Sequence, residues 1–195
     1  EIVEGRRARG QAPIVVVSAM AKVTDQLLAS AAAAERGDRN GALAISSRLR
    51  NRHLDAASAL LAGTTIAETH AWLDEQFQAL DDLLRGLAAV QELTPRTIDM
   101  VASFGERLSS RMIGEYYKQC GMNGIHVDAR TCIITDAQHG KATPLEDKIE
   151  RELHKSVLPL LQQGQVPFLG GFIAATENGV TTTLGRGGSD STAAM

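Results

Sequence analysis

Leu73, Phe77, Leu80, Leu84 and Leu87 recur at alternating intervals of four and three residues, with acidic residues and arginines on the other positions. That is the stripe of an amphipathic helix with one buried face. A second helical stretch precedes it over roughly 41–62, where Leu43, Leu49, Leu54, Leu60 and Leu61 stand among alanines. Gly63-Thr64-Thr65 separates the two, so the pair reads as a helical hairpin. Elsewhere the pattern changes. Residues 13–19 (PIVVVSA) form a continuous β-branched run, as expected of a parallel strand buried on both faces. An alanine-rich helix follows through Thr24-Asp25, whose oxygens are suited to capping, and ends about Gly37. Thr94-Pro95 sets a capping hydroxyl before a proline in the first helical position, and the helix it opens runs to about Cys120, where Gly121 ends it. Strands are expected at 125–127, 132–135 and from Val166 to Phe172, with a helix over 145–162 closed by Gly164. Asn178-Gly179 is a hairpin turn returning along 180–184. Strands and helices in this order predict an α/β sandwich.

Composition narrows the function classes. The 195 residues carry 20 Lys+Arg against 23 Asp+Glu, a formal charge of −3. That is no basic footprint for nucleic acid and no polybasic membrane anchor. Hydrophobic residues make up 44% and charged ones 22%, a globular balance that excludes a disordered acidic tail. With aromatics at only 4%, the core must be aliphatic and alanine-rich. Cys120 and Cys132 match no CxxC or zinc spacing and read as reduced thiols of a cytoplasmic protein. The longest apolar run, 13–20, is far short of a membrane span, and no signal peptide precedes it. His53, His70, His126, His139 and His154 are scattered without metal-ligand spacing and support no Ser–His–Asp arrangement.

Three segments carry candidate chemistry. Gly185-Arg186-Gly187-Gly188-Ser189-Asp190 is a glycine-rich loop feeding a helix, in which backbone N–H groups can approach an anion and Arg186 offers a fork-shaped donor. It is no P-loop, because no Gly-Lys-Ser/Thr follows, and no dinucleotide fingerprint, because Asp190 stands where the third glycine belongs. The alternative is a capping turn with Ser189 or Asp190 as N-cap. In Phe104-Gly105-Glu106-Arg107, the glycine costs about 1 kcal/mol inside a helix, so something must require it. Val101, Phe104, Leu108 and Met112 share one face, while Glu106 points nearly opposite, among Ala102, Ser109 and Ile113. A carboxylate there needs a partner, either a cationic substrate group or Arg107 or Arg111. Ser18-Ala19-Met20 with Thr24-Asp25 places hydroxyls at the carboxyl end of a parallel strand, where open α/β sheets bind ligands. Ordinary capping is the alternative there.

Taken together, VVVSAMAKVTD (15–25), SFGERLSS (103–110) and GGFIAATENGVTTTLGRGGSDSTAA (170–194) resemble the aspartate kinases of the amino-acid kinase family, in order and spacing, over essentially the whole chain. Family members often have a glycine within Ala21-Lys22. The resemblance implies a three-layer α/β/α sandwich with a mostly parallel central sheet and an inserted helical hairpin. It implies phosphorylation of the side-chain carboxylate of L-aspartate by ATP, with Mg2+ bound through the nucleotide, opening the route to lysine, threonine and methionine. Glu106 would hold the substrate ammonium and Arg186 its carboxylate. Thr24, Phe172, Ser189 and Asp190 would complete the pocket, Asp190 also as a catalytic residue. Ser18, Gly187 and Gly188 would lie beside the phosphates, and no residue is expected to bind a metal directly.

The same resemblance implies that residues 1–195 are the aspartate-binding lobe of a longer, homo-oligomeric enzyme. A first strand carrying Lys-Phe-Gly-Gly, a nucleotide-binding lobe and ACT regulatory domains would lie outside them, so these residues alone should be inactive. No nucleic-acid or membrane partner is expected. Two rivals remain: a kinase of the same superfamily acting on another acid, and a non-catalytic regulatory or assembly subunit that keeps the fold.

Overall fold

The computed structural model describes residues 2–195. Its core strand is β4 (Val166–Gly170), which is buried along its whole length and lies between β1 (Val15–Val17) and β2 (Gly124–Val127), parallel to both. A second sheet holds β3 (Ile134–Thr135), β5 (Ile173–Thr176) and β6 (Thr181–Thr183), with β3 parallel and β6 antiparallel to β5. The expected mostly parallel sheet is therefore divided into two. The division falls at Phe172, whose φ of 64° cannot continue an extended strand, so β4 ends and β5 starts in a new direction. Asn178-Gly179 makes the expected hairpin turn, with Gly179 at φ 74° and its N–H donating to Thr176 O.

The strand expected over 13–19 is only three residues long and half-buried. Gly171 N–H donates to Val17 O, so the odd-numbered residues of β4 aim their N–H groups at β1. Pro167 is the next such position down the strand but one, and it has no N–H to donate to Pro13 O; Pro13 has no N–H to return. The ladder therefore begins at Val15. β1 also has β4 as its sole partner among the described residues, so it is an edge.

α2 (Val23–Glu35), α3 (Arg39–Leu60), α4 (Thr64–Val90) and α6 (Phe104–Gln119) pack one aliphatic core, with Leu27, Leu49, Leu73, Leu80, Leu84 and Leu108 fully enclosed. α3 and α4 are the expected hairpin, and the leucine and phenylalanine stripe of α4 is its buried face. On β4, Val166 and Phe168 face α6 and Val3 of α1 (Ile2–Ala8), a helix that the sequence pattern does not announce. Leu169 faces the other way, into a cluster with Ile149 and Val157 beside α7 (Glu146–Ser156) and α8 (Leu158–Gln162). Helices thus cover both faces, giving three layers. The single helix expected over 145–162 breaks at Val157, because Pro159 cannot continue the bonds of the preceding turn. The helix expected from Pro95 to Cys120 also divides. α5 (Pro95–Ala102) is capped by Thr94 as expected, but Ser103 bonds its hydroxyl back to Met100 O and separates it from α6. α9 (Gly188–Ala194) closes the element order. Cys132 is buried, Cys120 is exposed, and neither forms a disulfide. Among the described residues, no helix is long and apolar enough to cross a membrane.

Candidate functional site

The carboxyl ends of β1 and β4 open into a cavity of about 420 Å³. Its lining includes Ser18, Thr24, Glu106, Phe172, Arg186, Gly187, Gly188, Ser189 and Asp190, which are all the site residues singled out from sequence. Three segments far apart in the chain meet there because two glycines permit it. A Cβ on Gly105 would come within 2.8 Å of the Ala19 Cβ, so only glycine lets α6 lie against the segment after β1. A Cβ on Gly171 would come within 2.7 Å of the Ser189 Cα, so glycine again lets α9 close on the end of β4.

Glu106 forms the floor. Its residue is 4% exposed, its Oε1 accepts from Ala19 N–H at 3.3 Å, and its Oε2 is buried with no hydrogen-bond partner among the described residues. Burial pushes its carboxyl up to about 7, against the opposing effect of the Ala19 N–H. The alternative of a salt bridge to Arg107 or Arg111 is overturned. Arg107 donates to Gln76 Oε1 at 2.6 Å and lies over the Phe104 ring, while Arg111 lies over Trp72 and pairs with Glu115 at 3.6 Å. Both guanidiniums point away because they follow Glu106 by one and five residues, angles that a 3.6-residue helix turns off its face. The floor of the cavity is thus a buried carboxyl group whose Oε2 has no hydrogen-bond partner among the described residues.

The rim carries the complementary charges. Arg186 is exposed and, among the described residues, makes no ion pair or side-chain hydrogen bond. Lys22, also on the rim, pairs loosely with Asp25 at 3.6 Å and is held at φ 66°, a backbone state that lysine rarely adopts. It is the N-cap of α2 and there is no side-chain cap, so the capping role expected of Thr24 and Asp25 is not found. Likewise the N-cap of α9 is Gly187, at φ 78°, and not Ser189 or Asp190, which fall in its first turn. Gly188 is enclosed: a Cβ there would lie 3.0 Å from Phe172 Cα and Leu184 Cβ.

Two hydroxyls that the sequence reading does not assign lock these walls together. Ser109 donates to Ser18 O at 2.8 Å, tying α6 to the segment after β1. Thr192 accepts from Phe172 N–H at 3.2 Å and donates to Gly188 O at 2.9 Å, which fixes the strained Phe172 against the glycine-rich turn. Ser109 lies three residues after Glu106 on one helical face, a spacing that points to it. Thr192 carries no such signal, because only the meeting of 172 with 188 gives its hydroxyl two partners. Among the described residues, no group of three or more His, Cys, Asp or Glu is arranged to hold a metal ion.

This geometry has close counterparts. A chloroplastic aspartokinase 2 of Arabidopsis thaliana is 32% identical over 188 residues, which is 93% of this chain and 33% of that protein. The lysine-sensitive aspartokinase 3 of Escherichia coli K12 is 32% identical over 182 residues, which is 93% of this chain and 38% of that protein. A structure of E. coli aspartokinase III in complex with aspartate and ADP aligns at a TM-score of 0.80 and 28% identity, over 97% of this chain and 41% of that one. Its complex with lysine and aspartate aligns at 0.81 and 27%, with the same coverage. The chain therefore spans between a fifth and two fifths of the length of the curated relatives it matches. The amino acid kinase family profile matches all of residues 1–195, and the chain belongs to that family.

Proposed function

We propose that residues 1–195 are the aspartate-binding lobe of an aspartate kinase, a partial amino-acid kinase catalytic domain. The observation that carries this assignment is Glu106: a buried carboxylate with one oxygen unpartnered among the described residues, on the same cavity as an arginine with no ion pair among them. An amino acid offers one ammonium for the acid and a carboxylate for the fork of Arg186. Thr24, Phe172 and Ser189 shape the space between. The side-chain carboxylate of the bound aspartate is itself the nucleophile. One of its oxygens forms a bond to the γ-phosphorus of ATP, the bond from that phosphorus to the β–γ bridging oxygen breaks, and ADP leaves with the electron pair. The product is 4-phospho-L-aspartate, the first committed intermediate toward lysine, threonine and methionine.

Such a transfer needs alignment and charge stabilisation more than a base, since a carboxylate has no proton to lose. Asp190 accordingly orients the reacting end and does not act as a general base. Ser18, Gly187 and Gly188 lie beside the phosphates, and Gly187 has nothing within 4 Å of where a Cβ would stand, which leaves its backbone open to an anion. Mg2+ comes with the nucleotide. On this reading the cationic and nucleotide-holding groups needed for turnover lie outside residues 1–195, which by themselves should release no ADP from ATP and aspartate.

Calorimetric titration of the chain with L-aspartate, L-glutamate and N-acetyl-L-aspartate tests the assignment. L-Aspartate should bind, and N-acetyl-L-aspartate, which has no ammonium for Glu106, should bind far more weakly. Glutamate binding in preference to aspartate would move the chain to another acid, and no binding at all would favour a non-catalytic subunit.

A further inference from the structure

Asp99 lies on α5, outside the cavity, and is completely buried. Its carboxylate gathers a cluster from three parts of the chain. Thr183 at the end of β6 donates its hydroxyl to Oδ1 at 2.5 Å. The Gly140 N–H donates to both oxygens, at 3.1 and 2.9 Å. His139 Nδ1 stands 2.9 Å from Oδ2, and because the carboxylate only accepts, that nitrogen carries the proton. No lysine or arginine shares the group among the described residues, so the enclosed carboxylate is satisfied by these hydrogen bonds and the imidazole alone.

The cluster sits directly under the turn that carries Arg186. Thr183 is three residues before it, and Thr183 O accepts from Ala142 N–H at 2.9 Å. Gly185, at φ 76°, rests on the Gly140 peptide: a Cβ there would lie 3.2 Å from Gly140 O. The turn is also tied to the body by Leu184 N–H donating to Phe172 O at 2.9 Å, and by the Thr192 hydroxyl, which bridges Gly188 O and Phe172 N–H. Glu106 follows Asp99 by seven residues, on the helix that continues from α5 after the break at Ser103. One helical segment thus carries the floor of the cavity and, through Asp99, holds the arm bearing its rim.

We infer that Asp99 is a positioning residue that sets where Arg186 stands relative to Glu106, through Thr183 and the Gly140 peptide. This rests on the aspartate assignment only for what Arg186 and Glu106 hold; the mechanical link stands without it. A site that grips both ends of one small molecule needs its two grips at a fixed separation, and a loosened support loses affinity without loss of fold.

The test uses the 195-residue chain with Asp99→Asn and, separately, Thr183→Val. Asparagine keeps the size of the side chain but cannot accept from Thr183, Gly140 and His139 together. Amide hydrogen exchange by NMR should show the Gly188 N–H exchanging about tenfold faster in either variant, with the α3–α4 amides unchanged. The Kd for L-aspartate should rise about tenfold, and Asp99→Asn should add nothing once Arg186→Ala is present. Exchange that rises throughout the molecule, or a local rise with additive loss of aspartate affinity, overturns the inference. If Asp99→Asn does not fold, Thr183→Val decides alone, since it removes one hydrogen bond and leaves the carboxylate its other donors. A parent chain that does not bind L-aspartate would overturn the substrate assignment, and the exchange of Gly188 would still decide the link.

Discussion

Glu106 and Gly170 are in contact across the site: a Cβ at position 170 would stand 2.9 Å from the Glu106 Cβ and 3.1 Å from the Glu106 O. The last residue of β4 must be glycine for α6 to lie that close, and the close approach is what buries the carboxylate. Gly170→Ala should therefore force α6 outward, costing about 1–3 kcal/mol of stability as overpacking does. Thermal unfolding should show the loss, and calorimetry a weaker L-aspartate Kd. An unchanged Tm would mean that α6 is not held against β4 at this point.

The raised carboxyl of Glu106 gives stability a specific pH dependence. Its value is about 7 in the folded chain against an ordinary 4.5. The folded state therefore binds more protons than the unfolded state within that window, and this group's contribution to stability falls as pH rises from 4.5 to 7. Glu106→Gln should remove the dependence and stabilise the chain at pH 8 by up to about 3 kcal/mol, while weakening L-aspartate. The substrate ammonium favours the ionised form, so binding at pH 6 should release a proton and affinity should fall below pH 7. Calorimetry in two buffers of different ionisation enthalpy reads that proton directly; identical heats in both would remove the ammonium from Glu106.

Arg186→Ala should behave in the opposite way. The side chain is exposed and makes no ion pair among the described residues, so stability should change by no more than about 0.5 kcal/mol. Loss of a charge-assisted pair with the substrate carboxylate costs about 1.5–3 kcal/mol, a drop in affinity of roughly tenfold to 150-fold. A weakened L-aspartate Kd with unchanged Tm supports the role, and an unchanged Kd removes it.

His126, on β2, is held down to about 4 by burial, with Arg111, Arg107 and Arg130 adding to the effect and Asp128 opposing it. The unfolded chain binds the extra proton between the ordinary 6.5 and about 4, so this contribution is complete above pH 6.5 and is lost as pH falls. His126→Gln should flatten that part of the pH–stability curve by up to about 3 kcal/mol before solvent screening. Urea unfolding at pH 7 and pH 5 in both proteins measures it, and parallel losses in the two would place the acid sensitivity elsewhere.

Much of the architecture was legible in local pattern. The leucine stripe of α4 announced its own buried face, Thr94-Pro95 announced the start of α5, and Asn178-Gly179 announced its turn, because each is decided within a few residues. Boundaries that depend on a neighbouring strand were not legible. β1 begins two residues late because of Pro167, which is 154 positions away from Pro13 in the chain. The break at Phe172 needed knowledge that Thr192 and Gly188 would be there to hold it.

The same division runs through the site. The residue types were set by sequence alone: an acid after a helical glycine, an arginine among glycines, and hydroxyls after a β-branched strand, in an order that resembles one family. Which of the open alternatives holds was decided only in three dimensions. Whether Glu106 is spoken for by an arginine depends on where Arg107 and Arg111 find Gln76, Phe104, Trp72 and Glu115, and those partners lie on other helices or other turns. That Asp99 sits beneath Arg186 depends on the chain folding back twice between them. Charge and shape are properties of residues, but burial and the absence of a partner among the described residues are properties of the packed whole, and it is these that single out Glu106 as a candidate site.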